Sequence, residues 1–120
     1  MGNTIWFRVE DPGSPLNDED DRSALEREAE RLDRLAAQLG VTAPSAFFDC
    51  SELATEFAEA LNPLDPDWFE AGEGIATAAA LIGALDPTRD AELLEDLRAW
   101  RAFLGAAAAA GQRFNLLVVP

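Results

Sequence analysis

The chain has 120 residues, a formal charge of −14 and a hydrophobic share of 48%. That length supports one domain with a real core and is short for two, and the hydrophobic share argues against disorder despite the charge. There is no histidine, lysine or tyrosine, a single cysteine, and nine arginines against twenty-three carboxylates. The inventory excludes Ser-His-Asp and Cys-His machinery, imidazole metal sites, lysine Schiff bases, an internal disulfide and cysteine-rich zinc sites. Carboxylate chemistry, hard-cation binding and arginine clamping of an anion remain.

Residues 3–10 alternate, with Ile5, Phe7 and Val9 on one side and Trp6, Arg8 and Glu10 on the other. This predicts a strand with one buried face. Trp6 on the polar side implies either partial covering of that face, the favoured reading, or an exposed contact site. Residues 11–21 are rich in Pro, Gly, Ser, Asn and Asp and read as a loop. A first helix is predicted from Arg22 to Leu39, with Leu25, Leu32, Leu35 and Leu39 as its apolar stripe, Asp21 as N-cap and Gly40 as C-cap. Glu30 and Arg34 stand four apart in the favourable order for a weak ion pair.

Residues 41–50 form a connector whose Phe47 and Phe48 plug the core, followed by a short second helix from Glu52 to Leu61 capped by Ser51. A single turn capped by Asp67, with Glu70 in the capping-box position, is expected next. The third helix, Glu73 to Leu85, is nearly all small or apolar and is predicted to lie deep. Gly72 and Gly74 do not match a nucleotide-binding loop, so close packing at the helix start is the expectation. After the break at Asp86, Pro87 and Thr88, a fourth helix carries Leu93, Leu97, Trp100 and Leu104 and continues to Gly111. A terminal strand over 113–119 has a four-residue apolar run that implies burial on both faces. The predicted fold is α+β, a single domain over residues 1–120 in which a small sheet containing the N- and C-terminal strands packs against about four helices. Strand order and direction stay open.

The charge is unevenly spread. Residues 41–70 hold seven carboxylates and no arginine, whereas the last 32 residues hold four of each. The candidate surface is therefore Asp49, Glu52, Glu56, Glu59, Asp65, Asp67, Trp68 and Glu70, either a solvated face or a docking surface for a basic protein partner. The acidic run Asn17 to Asp21 is a poor calcium loop, because an EF-hand register starting at Asn17 places Arg22 where the turn glycine belongs. Two carboxylates suffice for glycosidase-type chemistry, but the acids are too numerous to single out a pair. Cys50 has no activating group in sequence, so a buried structural thiol is favoured. No catalytic residue, metal ligand or cofactor is implied.

The segments Ile5 to Glu10, Leu39 to Val41 with Phe47 to Asp49, Trp68 to Thr77, and Ala110 to Leu116 resemble a family of small uncharacterised bacterial proteins. That resemblance implies one complete domain with a tryptophan-containing motif before a helix, and it brings no activity. The acidity opposes binding to nucleic acid or anionic membranes, and no leader or spanning segment is evident, so a cytoplasmic location is expected. The functional expectation is a regulatory or antitoxin-like protein that works by protein–protein interaction. The alternatives are a carboxylate-dependent hydrolase or cation binder, and a homodimer joined through Trp6 or a strand edge.

Overall fold

The structure, a computed structural model, describes residues 3–50 and 67–120. The alternation at the N-terminus becomes β1 (Thr4–Val9), in which Ile5, Phe7 and Val9 are buried and the intervening residues are half-buried. The apolar run at the other end becomes β3 (Phe114–Val119), buried at every position but the last, as two-sided burial requires. The two strands pair antiparallel, Thr4 opposite Val119 through Val9 opposite Phe114. A two-residue strand, β2 (Phe48–Asp49), lies parallel on the other side of β3 and completes a sheet of order β1-β3-β2. β2 stands where sequence indicated only a connector. Two residues carry no periodicity, and what makes them a strand is pairing with Leu116 and Leu117.

Four helices pack on this sheet, so the protein has the predicted α+β architecture: α1 (Ser23–Arg27), α2 (Ala29–Leu39), α3 (Ala71–Ala84) and α4 (Ala91–Ala109). The predicted first helix is divided at Glu28, whose φ of −99° and ψ of 12° leave the helical range while the hydrogen-bond ladder continues through it. The division lets α1 pack on β1 and α4 while α2 packs on α3. Asp21 does not cap α1; its carboxylate accepts a hydrogen bond from Trp6 Nε1 at 3.4 Å, and Arg22 occupies the cap position with no side-chain capping bond to the helix. Gly40 does close α2, at φ 73°.

The expected turn at Asp67 is absent. Phe69 instead exchanges backbone hydrogen bonds with Phe114, each at 2.9 Å, and α3 starts directly at Ala71. α3 is not deep all round: Ala71, Gly74, Thr77, Ala78 and Leu81 are buried on one side, while Gly72, Glu73, Ala76 and Gly83 are exposed. Its buried side fits closely enough that a Cβ on Gly74 would sit 2.7 Å from the Phe114 ring. That ring belongs to an aromatic group with Phe47 at 5.1 Å and Trp100 at 6.0 Å between centroids. α4 ends at Ala109, two residues short of the predicted Gly111, which takes φ 68° to turn the chain into β3. The predicted helix over 52–61 lies outside the described residues. Among the described residues no helix is long and apolar enough to cross a membrane.

The free edge of β1 is occupied by the chain's own loop. Phe7 and Asp18 exchange backbone hydrogen bonds at 3.0 and 2.9 Å, and the Val9 N–H donates to Asn17 Oδ1. The Asn17 amide nitrogen donates to the carbonyls of Asp11, Pro12 and Ser14, so one side chain ties the loop together and fastens it to the strand.

Candidate functional site

The pleat that sends Ile5, Phe7 and Val9 into the core sends Trp6 and Arg8 to the opposite face of the sheet. Register places Leu117 and Asn115 of β3 beside them, with Asp49 of β2 next in line. Arg8 is the centre of this face. Its Nε donates to Asn115 Oδ1 at 3.1 Å, and its Nη2 donates to Asp49 Oδ2 at 2.5 Å. The guanidinium carbon lies 5.4 Å from the Trp68 ring centroid, within cation–π range. Asn115, fully buried, donates from its amide nitrogen to the Asp67 carbonyl at 3.1 Å. One guanidinium thus joins β1, β2 and β3 and holds Trp68 against the sheet.

Beside this cluster opens a cleft of about 300 Å³, walled by Trp6, Trp68 and Leu117 and rimmed by Glu10, Asp18 and Glu19. Both tryptophans are half-buried, offering ring surface to the cleft. The positive charges nearby are already matched: Arg8 by Asp49, Arg22 by Asp18 and Arg113 by Glu10. Glu19 is exposed and forms no ion pair among the described residues, and Asp11, Asp20 and Asp21 stand exposed on the same loop. The excess charge around the aromatic walls is negative. Such a cleft can accept a flat or aliphatic group on its rings and a cation at its rim.

Of the sequence candidates, Asp49 and Trp68 come together in the Arg8 cluster, and Asp67 and Glu70 are exposed at the approach to α3. Glu52, Glu56, Glu59 and Asp65 lie outside the described residues. Asp49 is an internal partner with 8% of its side chain accessible. Sequence reasoning missed Arg8 and Asn115. The signal available for Asn115 was a lone amide in an apolar strand, which demands a buried partner.

Carboxylate catalysis would need a pocket lined by two or more of Asp49, Asp65, Asp67, Glu70 and Glu73. Among the described residues of that set, none lines the tryptophan cleft, and the Glu73 carboxylate accepts a hydrogen bond from the Thr42 hydroxyl at 3.1 Å. Among the described residues no group of three or more Cys, Asp or Glu side chains is arranged to hold a metal ion. Cys50, expected to be buried, is exposed; β2 sends Asp49 inward, and Cys50 follows where the strand ends. Desolvation, and then the adjacent Asp49 carboxylate, push its thiol pKa up, away from thiolate reactivity. No protein-family model, no curated protein and no solved structure matches the chain.

Proposed function

We propose that the protein is an acidic binding module whose partner is a protein with a basic segment, received in the cleft between Trp6 and Trp68. The observation that supports this reading is the pairing of two tryptophan walls with a rim whose unmatched charge is negative. An arginine or lysine side chain suits such a site, because its stem packs on a ring while its head reaches the carboxylates. The overall charge of −14 would speed encounter with a basic partner and disfavour nucleic acid. A regulatory or antitoxin-like role in the cytoplasm follows as the biological form of this proposal. The proposal is preferred to a dimer joined along β1, because the Phe7 and Val9 amides that edge pairing would use are already bonded to the loop.

The test is a titration with an octa-arginine peptide, followed by tryptophan fluorescence, on the parent protein and on Trp68→Ala and Glu19→Gln. Nonspecific attraction to an acidic protein would survive both substitutions. The proposal expects each to weaken binding, Trp68→Ala by about fivefold or more. Equal affinities across the three proteins would overturn it.

A further inference from the structure

A second cleft, of about 290 Å³, lies between α2 and the turn that joins α3 to α4. Its apolar floor is Leu35 and Leu85, and three of the chain's nine arginines line it: Arg31, Arg34 and Arg89. In a chain with more than twice as many carboxylates as arginines, three cations around one small cavity run against the composition.

Two carboxylates, Asp86 and Asp90, also line the cleft, Asp86 engaged through one oxygen and Asp90 through both. Asp86 Oδ1 accepts from the Thr88 and Arg89 backbone N–H groups at 2.8 and 3.1 Å, forming the turn. Asp90 accepts two bonds from Arg31, at 3.0 and 3.2 Å, and one from the Asp86 N–H at 3.1 Å. These bonds hold both acids ionised, below the usual carboxylate range. Arg31 is consumed by Asp90 and Glu28.

Arg34 and Arg89 are left. Both are exposed, and neither guanidinium forms an ion pair within 4.0 Å or a side-chain hydrogen bond among the described residues, while the Arg89 charge lies close enough to Asp86 and Asp90 to favour their ionised forms. Glu30, the partner that helical spacing offers Arg34, does not meet it. Gln38, one turn further along α2, brings an amide donor to the same cavity.

We infer that this cleft binds a small oxyanion, a phosphate or carboxylate group clamped between Arg34 and Arg89 with Gln38 as a third donor. Planar guanidinium forks match the paired oxygens of both groups. Arg31, fixed by Asp90 and Glu28, gives the wall a defined shape without being a flexible ligand. The cavity is at the small end of ligand sites, which suits a compact metabolite.

The experiment is calorimetric titration with inorganic phosphate and, separately, with succinate, at constant ionic strength set with chloride. Three proteins are compared: the parent, Arg34→Gln/Arg89→Gln, and Arg98→Gln/Arg101→Gln. The last pair removes two exposed, unpaired arginines from α4, away from the cleft. Saturable binding of phosphate or succinate by the parent, weakened at least about tenfold in the first variant and unchanged in the second, is the expected result. The stronger of the two anions then assigns the ligand class. Absence of saturation with both, or an equal loss in both variants, would overturn the site.

Discussion

Substituting alanine for Gly74 tests the packing that sets the sheet against α3. The added methyl would sit 2.7 Å from Cζ and 3.0 Å from Cε1 of Phe114, and 3.0 Å from Cδ1 of Leu104. Comfortable carbon contacts lie at about 3.5–4.0 Å, so the ring must retreat by nearly an ångström. Phe114 is fully buried, and its ring already meets Phe47, Phe69 and Trp100 at 5.1, 6.2 and 6.0 Å. With nowhere open to go, the cost belongs in the upper part of the usual overpacking range, about 2–3 kcal/mol. Alanine returns about 1 kcal/mol through helix propensity, leaving a net loss of about 1–2 kcal/mol. Gly105 is the matched control: it lies inside α4, is exposed, and has no atom within 4 Å of the same methyl. There the propensity gain stands alone, so Gly105→Ala should stabilise by about 1 kcal/mol. The two variants should therefore differ by about 2–3 kcal/mol, or roughly 1 M or more in urea midpoint for a domain of this size. Urea unfolding followed by tryptophan fluorescence and by circular dichroism measures both. A Gly74→Ala protein at least as stable as the parent would refute the packing argument, whatever Gly105→Ala does.

Arg8→Met should destabilise by about 2 kcal/mol, because it takes the guanidinium away from a nearly buried carboxylate, a buried amide and the Trp68 ring at once; the same unfolding assay reads it. Asp86 and Asp90 have folded pKa values below their unfolded ones, so their stabilisation is present above about pH 4 and lost as the pH falls through the folded values. Asp90→Asn should thus lower the urea midpoint near neutral pH, and its deficit should shrink on acidification; a pH-independent deficit would contradict the assignment. Asp96 has the opposite sign. Burial raises its pKa, its favourable contribution is lost as the pH rises, and Asp96→Asn, which retains an oxygen acceptor for the Leu25 N–H, should gain stability at neutral pH but not in acid.

The elements legible in sequence are those whose information is local. Ile5, Phe7 and Val9 declare β1 by alternation, Gly40 declares the end of α2, and the apolar run of β3 declares a strand covered on both faces. What escaped is what distant residues create. β2 exists through its pairing with β3, and Phe69 is extended through Phe114, so neither leaves a periodic trace. The break at Glu28 serves two packing partners that only the fold supplies.

Charge shows the same division. Counting acids by position points to residues 49–70, yet Asp49 is turned inward by an arginine 41 residues away in sequence, and that arginine meets an asparagine 107 residues away. Net charge records neither pairing. With twenty-three carboxylates for nine arginines, every arginine could have had a partner, and composition would have supposed it. The fold instead sorts the arginines. Arg8, Arg22, Arg31 and Arg113 form ion pairs, leaving acid in excess around Trp6 and Trp68, while Arg34 and Arg89 form none among the described residues and share one cavity. An acidic protein can therefore offer a cation one face and an anion another, because binding is decided by which charges the fold leaves unanswered and not by their sum.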